Sequence, residues 1–256
     1  MTTLHIDVNS LLAGLLLSFR LGMVLFLTPV LGSAGVPVRI RLLTLVSLTV
    51  WMTMALSPAV PANAFQTPGL VTAMINELLW GGLLAFGLQA AFASFQVGGR
   101  LLDLQIGFGV AMLFDPGTRT QMPLLGVLLQ MTGIAGFLAV DGHHLVLRGL
   151  AASLYAAPLG ISPLGVAPAV LLHQFGLMFT LGMMLVSAAV FCVFLVDVGM
   201  SVVSRILPQA NVFMLSLSVK IFAGLSVLAL STPVMGPVLS SIYMSVFRYW
   251  DALLEK

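Results

Sequence analysis

The chain has 256 residues, 60% hydrophobic and 7% charged, with a formal net charge of +2 and a mean hydropathy of +1.14. An ordinary soluble domain carries about 25% charged residues, so that class is excluded and a polytopic membrane protein is indicated. The small charge, with no basic run, also excludes a nucleic-acid partner.

The opening MTTLHIDVNS lacks the basic start of a secretory signal, and the apolar run behind it is too long for one, so the first segment is expected to stay in the protein. Apolar windows follow at 11–31, 40–60, 70–95, 124–140, 169–196 and 212–230, with a last stretch at 234–247. At ~1.5 Å per residue, ~20 residues cross a ~30 Å hydrocarbon core, which predicts about six spanning helices. Ser231, Thr232 and Pro233 break the sixth, and Gly236 and Pro237 follow at once, so the end of the chain reads as a kinked hairpin. The short Gly-, Pro- and Ser-rich connections predict antiparallel hairpins, and nothing alternates with a strand period. The expected fold class is all-α, a polytopic membrane protein. Arg39 and Arg41 favour a cytoplasmic first connection and an outside N-terminus.

Charges within apolar segments are costly, about 2.5–3.5 kcal/mol on insertion scales, and must face protein, water or another subunit. Arg20, Glu77 and Lys220 are such charges; each either pairs within the chain, snorkels to an interface or contacts a partner subunit. Asp197 and Arg205 lie nearer a segment end. Arg100 and Asp103 have the i, i+3 spacing of a local ion pair. Cys192 reads as a small buried hydrophobe. Asp141, His143 and His144 in DGHH are expected to form a helix-end turn, because adjacent histidines do not converge on one helical face. No nucleophile elbow, catalytic triad, carboxylate pair or phosphate-binding loop is present in the sequence, so neither an enzyme nor a cofactor is expected.

The central stretch GFGVAMLFDPGTRTQMP is too apolar for an ordinary loop and too polar at its end for a spanning helix. Asp115, Pro116 and Gly117 carry the residue order of a tight turn. A loop at membrane depth must be buried in protein or line a watery cavity. The segment is therefore either a turn at the membrane surface or a re-entrant loop, and Phe108, Met112 and Phe114 favour the second.

Taken in order, several groups of residues resemble the FliR family of the bacterial flagellar export apparatus and the related SctT subunits of injectisomes. They are Arg20, Pro29, the run Val36–Arg41 and Glu77; then Gln105, Gly107, Ala111, Asp115, Pro116, Phe137, Asp141, Gly142 and His143; and finally Arg205, Pro208, Gln209, Asn211, Val212, Phe213, Lys220 and Gly224. Ser218 departs from the pattern, standing where many members have a proline, and the segment before Asp197 lacks the usual proline. The resemblance implies a core subunit that assembles with FliP-like and FliQ-like proteins into an export gate, beside FlhB-like and FlhA-like proteins, in the bacterial inner membrane. It implies a FliP-like part over 1–168 and a FliQ-like hairpin over 169–256, with helices that assembly can raise out of the bilayer plane. It further implies that 105–121 is a plug-like loop, with Gln105, Gly107, Phe108, Gly109, Met112, Phe114, Asp115, Pro116 and Gly117 sealing a channel for unfolded polypeptides, and no catalysis in this chain. The injectisome equivalent is the alternative. A small-solute transporter is a further one, but no inverted repeat supports it.

Overall fold

The computed structural model describes residues 8–29, 36–108, 123–206 and 211–255. Every regular element among them is helical. In chain order they are α1 (Val8–Leu27), α2 (Val38–Leu56), α3 (Thr67–Ile106), α4 (Leu124–Ala139), α5 (Gly142–Ala156), α6 (Pro168–Ile206), α7 (Val212–Ser231) and α8 (Gly236–Leu254). Short 3-10 turns occupy Ala62–Phe65, Pro163–Gly165 and Thr232–Val234. The polytopic all-α expectation is met.

Local chemistry explains where these helices begin and end. Pro168 and Pro237 sit in the first turns of α6 and α8, where a missing N–H costs nothing. The Asn211 side chain accepts a hydrogen bond from the Met214 N–H at 3.4 Å and caps α7. α2 stops at Ser57, which turns left-handed at φ 42° and returns its N–H to the Thr53 carbonyl at 3.0 Å. Thr232 and Pro233 end α7 as the sequence predicts.

Among the described residues five helices are long and apolar enough to cross a membrane: α1, α2, α3, α6 and the stretch Val212–Val234. A sixth is added if α4 and α5, broken at Val140 and Asp141, count as one span, which matches the expected number. Two helices outrun their apolar windows. α3 has 40 residues and α6 has 39, so each is ~60 Å long against a ~30 Å hydrocarbon core. Hydropathy falls off near 95 and 196, but no proline follows there, and the backbone ladder continues.

The chain forms two compact units that alternate along the sequence, one made of 1–90, 137–174 and 245–256, the other of 91–136 and 175–244. In the first, α1 packs on α2, with Gly14 against Thr49 and Thr53 and Gly22 against Leu45. α1 also meets the first half of α3 so closely that a Cβ at Gly81 would stand 2.6 Å from the Arg20 carbonyl oxygen. The end of α8 is tied to the same stretch of α3, where the Tyr249 hydroxyl donates to Leu83 O and Trp250 Nε1 donates to Leu84 O, both at 3.0 Å. In the second unit, α3 and α6 cross at Gly98 and Gly182, where a Cβ on Gly98 would lie 2.5 Å from the Gly182 carbonyl oxygen. There Tyr243 donates to the Gly133 carbonyl at 2.7 Å and closes α8 onto α4. α8 is not among the helices apolar enough to span, and burial pushes the phenols of Tyr243 and Tyr249 up to about 12, so both remain neutral donors.

Candidate functional site

The first unit buries a pair of opposite charges. Arg20 on α1 and Glu77 on α3 are 1% and 0% exposed. They meet as a two-pronged pair: Arg20 Nε donates to Glu77 Oε2 at 2.6 Å and Nη2 to Oε1 at 3.1 Å. The remaining guanidinium donors are used as well. Nη1 donates to the Ser153 carbonyl at 3.2 Å and to Ser153 Oγ at 3.3 Å, and Nη2 to the Ala157 carbonyl at 2.9 Å. Only a planar guanidinium can satisfy so many acceptors in one plane, which makes lysine a poor substitute.

Glu77 completes the arrangement by accepting the Gly160 N–H at 2.7 Å. Gly160 has φ 81°, a conformation side-chain-bearing residues rarely adopt. Two neighbours on α3 reinforce the grip: Asn76, the residue before Glu77, donates its Nδ2 to the Gly160 carbonyl, and Trp80, three residues after it, donates its Nε1 to the Ile161 carbonyl, each at 2.8 Å. α1, α3 and the end of α5 with its following loop are therefore locked at one buried polar point. Arg20 and Glu77 stand out in the sequence, whereas Asn76, Trp80, Ser153 and Gly160 do not, since backbone carbonyls and a left-handed glycine leave no charge pattern.

Lys220 forms its ion pair with Asp197, joining α7 to α6 in the second unit. This pair is wetter than the first, with Asp197 48% exposed and Lys220 20%. Asp103 corrects an expectation. It makes no ion pair with Arg100 among the described residues; its two carboxylate oxygens accept the Leu125 N–H at 3.1 Å, and Oδ2 accepts the Gly126 N–H at 3.3 Å. Free amides at the start of α4 offer a buried carboxylate partners that an exposed arginine does not. Cys192 is half-buried rather than fully buried.

Of the expected plug residues, Gln105, Gly107 and Phe108 are described, and Gly109, Met112, Phe114, Asp115, Pro116 and Gly117 lie outside the described residues. α3 ends at Ile106, the Gly107 N–H returns to the Asp103 carbonyl at 3.2 Å, and Gly107 turns left-handed at φ 96°. A Cβ there would collide with Leu217 of α7. Gln105 Oε1 is buried with no hydrogen-bond partner among the described residues. The DGHH run does begin a helix, but its side chains also converge: the imidazoles of His143 and His144 are 4.1 Å apart at their centres. Against the expectation that adjacent histidines diverge, the two rings lie side by side in the first turn of α5, behind a left-handed Asp141 at φ 55°.

Residues 11–246 match the model of bacterial export proteins, family 1. The chain belongs to that family. Among its relatives is a protein of Aquifex aeolicus named flagellar biosynthetic protein FliR, 31% identical over 94% of this chain and 93% of its own. The protein of that name in Escherichia coli is 27% identical over 86% of this chain and 84% of its own. A Yersinia pestis relative named Yop proteins translocation protein T is 27% identical over 73% of this chain and 71% of its own. For a family 1 export protein, Arg20, Glu77, Asp103, Lys220 and Gly107 all fall within the matched region.

Proposed function

We propose that the chain is the FliR-type core subunit of the flagellar type III export gate, a multi-pass inner-membrane protein that helps form and seal the channel for unfolded flagellar proteins. The observation that carries this reading is the family match over 11–246, supported by the flagellar relative that pairs with nearly the full length of both chains. The injectisome equivalent is the second reading; its named relative matches over less of both chains.

As a gate subunit the chain works with other export components. FliP-like and FliQ-like subunits are the proposed direct partners, with FlhB-like and FlhA-like proteins beside them, and 1–168 and 169–256 the FliP-like and FliQ-like parts. The Arg20–Glu77 pair serves assembly by fixing the subunit's own form. Lys220 and Asp197, more exposed, are the charges proposed to meet a partner. No catalysis is assigned to it, and the names of its relatives speak of biosynthesis and translocation.

The seal is assigned to 105–121. Support comes from its start: left-handed Gly107 ends α3 against Leu217, and half-buried Phe108 follows. Phe and Met side chains on a glycine-hinged loop could exclude ions and still yield to a polypeptide. A strain lacking the gene tests the whole reading. The intact chain should restore export of flagellar subunits and co-purify with two unlike small membrane proteins, while a variant without residues 107–120 should make the assembled complex leak ions. Failure of the intact chain to restore export would refute the gate reading, and unchanged conductance in the deletion would refute the plug.

A further inference from the structure

Asp141, His143 and His144 gather at the start of α5, in the first compact unit and apart from the Arg20–Glu77 pair. We propose that they form a binding site for a borderline divalent cation of the Zn2+ type. Each residue offers a ligand atom, two imidazole nitrogens and one carboxylate oxygen, and these atoms all lie within 4.8 Å of one another. Asp141 Oδ1 and His144 Nδ1 are 3.5 Å apart. Two ligands on a tetrahedral ion at ~2.1 Å stand ~3.4 Å apart, so this pair already has the required separation.

His143 supplies an independent observation. Its Nδ1 is shielded from water and has no hydrogen-bond partner among the described residues. Leaving a buried polar atom unsatisfied is unfavourable, and binding a cation would turn the imidazole to use. The backbone beneath the trio is fixed by packing: Gly142 lies so close to the Phe137 ring that a Cβ would collide with it. His144 and Asp141, 62% and 74% exposed, have room to adjust as His143 is brought onto the ion they share.

The donor set selects the metal. Two imidazoles and a carboxylate suit Zn2+, Ni2+ or Cu2+, whereas Mg2+ and Ca2+ prefer oxygen alone. The α5 N-terminus opposes a cation, and the Asp141 carboxylate offsets that field. Three protein ligands leave a fourth position for water or for a donor from another chain.

The test uses the full chain, purified in detergent with an affinity tag free of histidine and stripped with chelator. Titration with Zn2+ should show one equivalent bound per chain, with Mg2+ unable to compete. His144→Ala and Asp141→Asn, both at exposed positions, should each weaken Zn2+ binding at least tenfold without changing the helical circular dichroism. His173→Ala, an exposed histidine outside the cluster, should bind as the wild type does. Absence of a one-equivalent phase, or wild-type affinity in His144→Ala, overturns the site.

Discussion

At the scale of single residues, Arg20 and Glu77 have no water to fall back on. Replacing either partner alone leaves a buried charge uncompensated, which typically costs about 3–5 kcal/mol, whereas replacing both with apolar groups of similar size is often neutral. Arg20→Met and Glu77→Met should therefore each lower the thermal stability of the detergent-solubilised chain sharply, and the double variant should recover much of the loss. Strictly additive melting shifts would show that the pair is not coupled. The two charges were legible in the sequence because a charge in an apolar segment demands a reason. Their pairing was not, since 57 residues separate them and two of the arginine's five acceptor atoms are backbone carbonyls. Lys220 likewise gave no hint that Asp197 was its partner, and Asp103 hid its capping role behind a nearer arginine.

Among elements, apolar periodicity located the helices and left their ends open. α3 runs through Arg100 and Asp103 to Ile106, because a helix ends where its backbone ladder is stopped, and here that happens at left-handed Gly107. Which glycines matter was also hidden, since composition does not distinguish a helix crossing from a bare surface. Gly98 faces the Gly182 backbone, which cannot rotate away, whereas nothing lies within 4 Å of a Cβ placed on Gly199. Gly98→Val should force α3 from α6 at a cost of about 1–3 kcal/mol. Gly199→Ala should be tolerated and gain up to about 1 kcal/mol in helix propensity. Thermal melting of the two variants side by side checks both, and a Gly98→Val protein as stable as wild type would contradict the crossing.

For the whole molecule, the fold class and the number of spans followed from hydropathy, but the surfaces did not. Only 11% of the apolar window is buried in α2, and the same share in Val212–Val234, so these helices turn large side chains such as Trp51 and Phe222 outward. A chain built this way must reach lipid or neighbouring subunits before its apolar faces are covered, which suits a protein that is one part of a larger apparatus. The stretch proposed as the seal was legible as an oddity of composition, a greasy run closing on the residue order of a turn, and of it residues 105–108 fall among the described residues. The buried pair also sets a timetable. Arg20 leaves the ribosome 57 residues ahead of Glu77, so at ~5–20 residues per second it waits roughly 3–11 s for its counter-ion. During that interval α1 carries an unpaired cation, a cost that is expected to keep insertion of the first helix reversible until the third arrives. Nascent chains arrested before residue 77 should be extracted from membranes by alkaline carbonate, and chains extending past residue 160 should resist it; equal extraction would mean that α1 commits to the bilayer by itself.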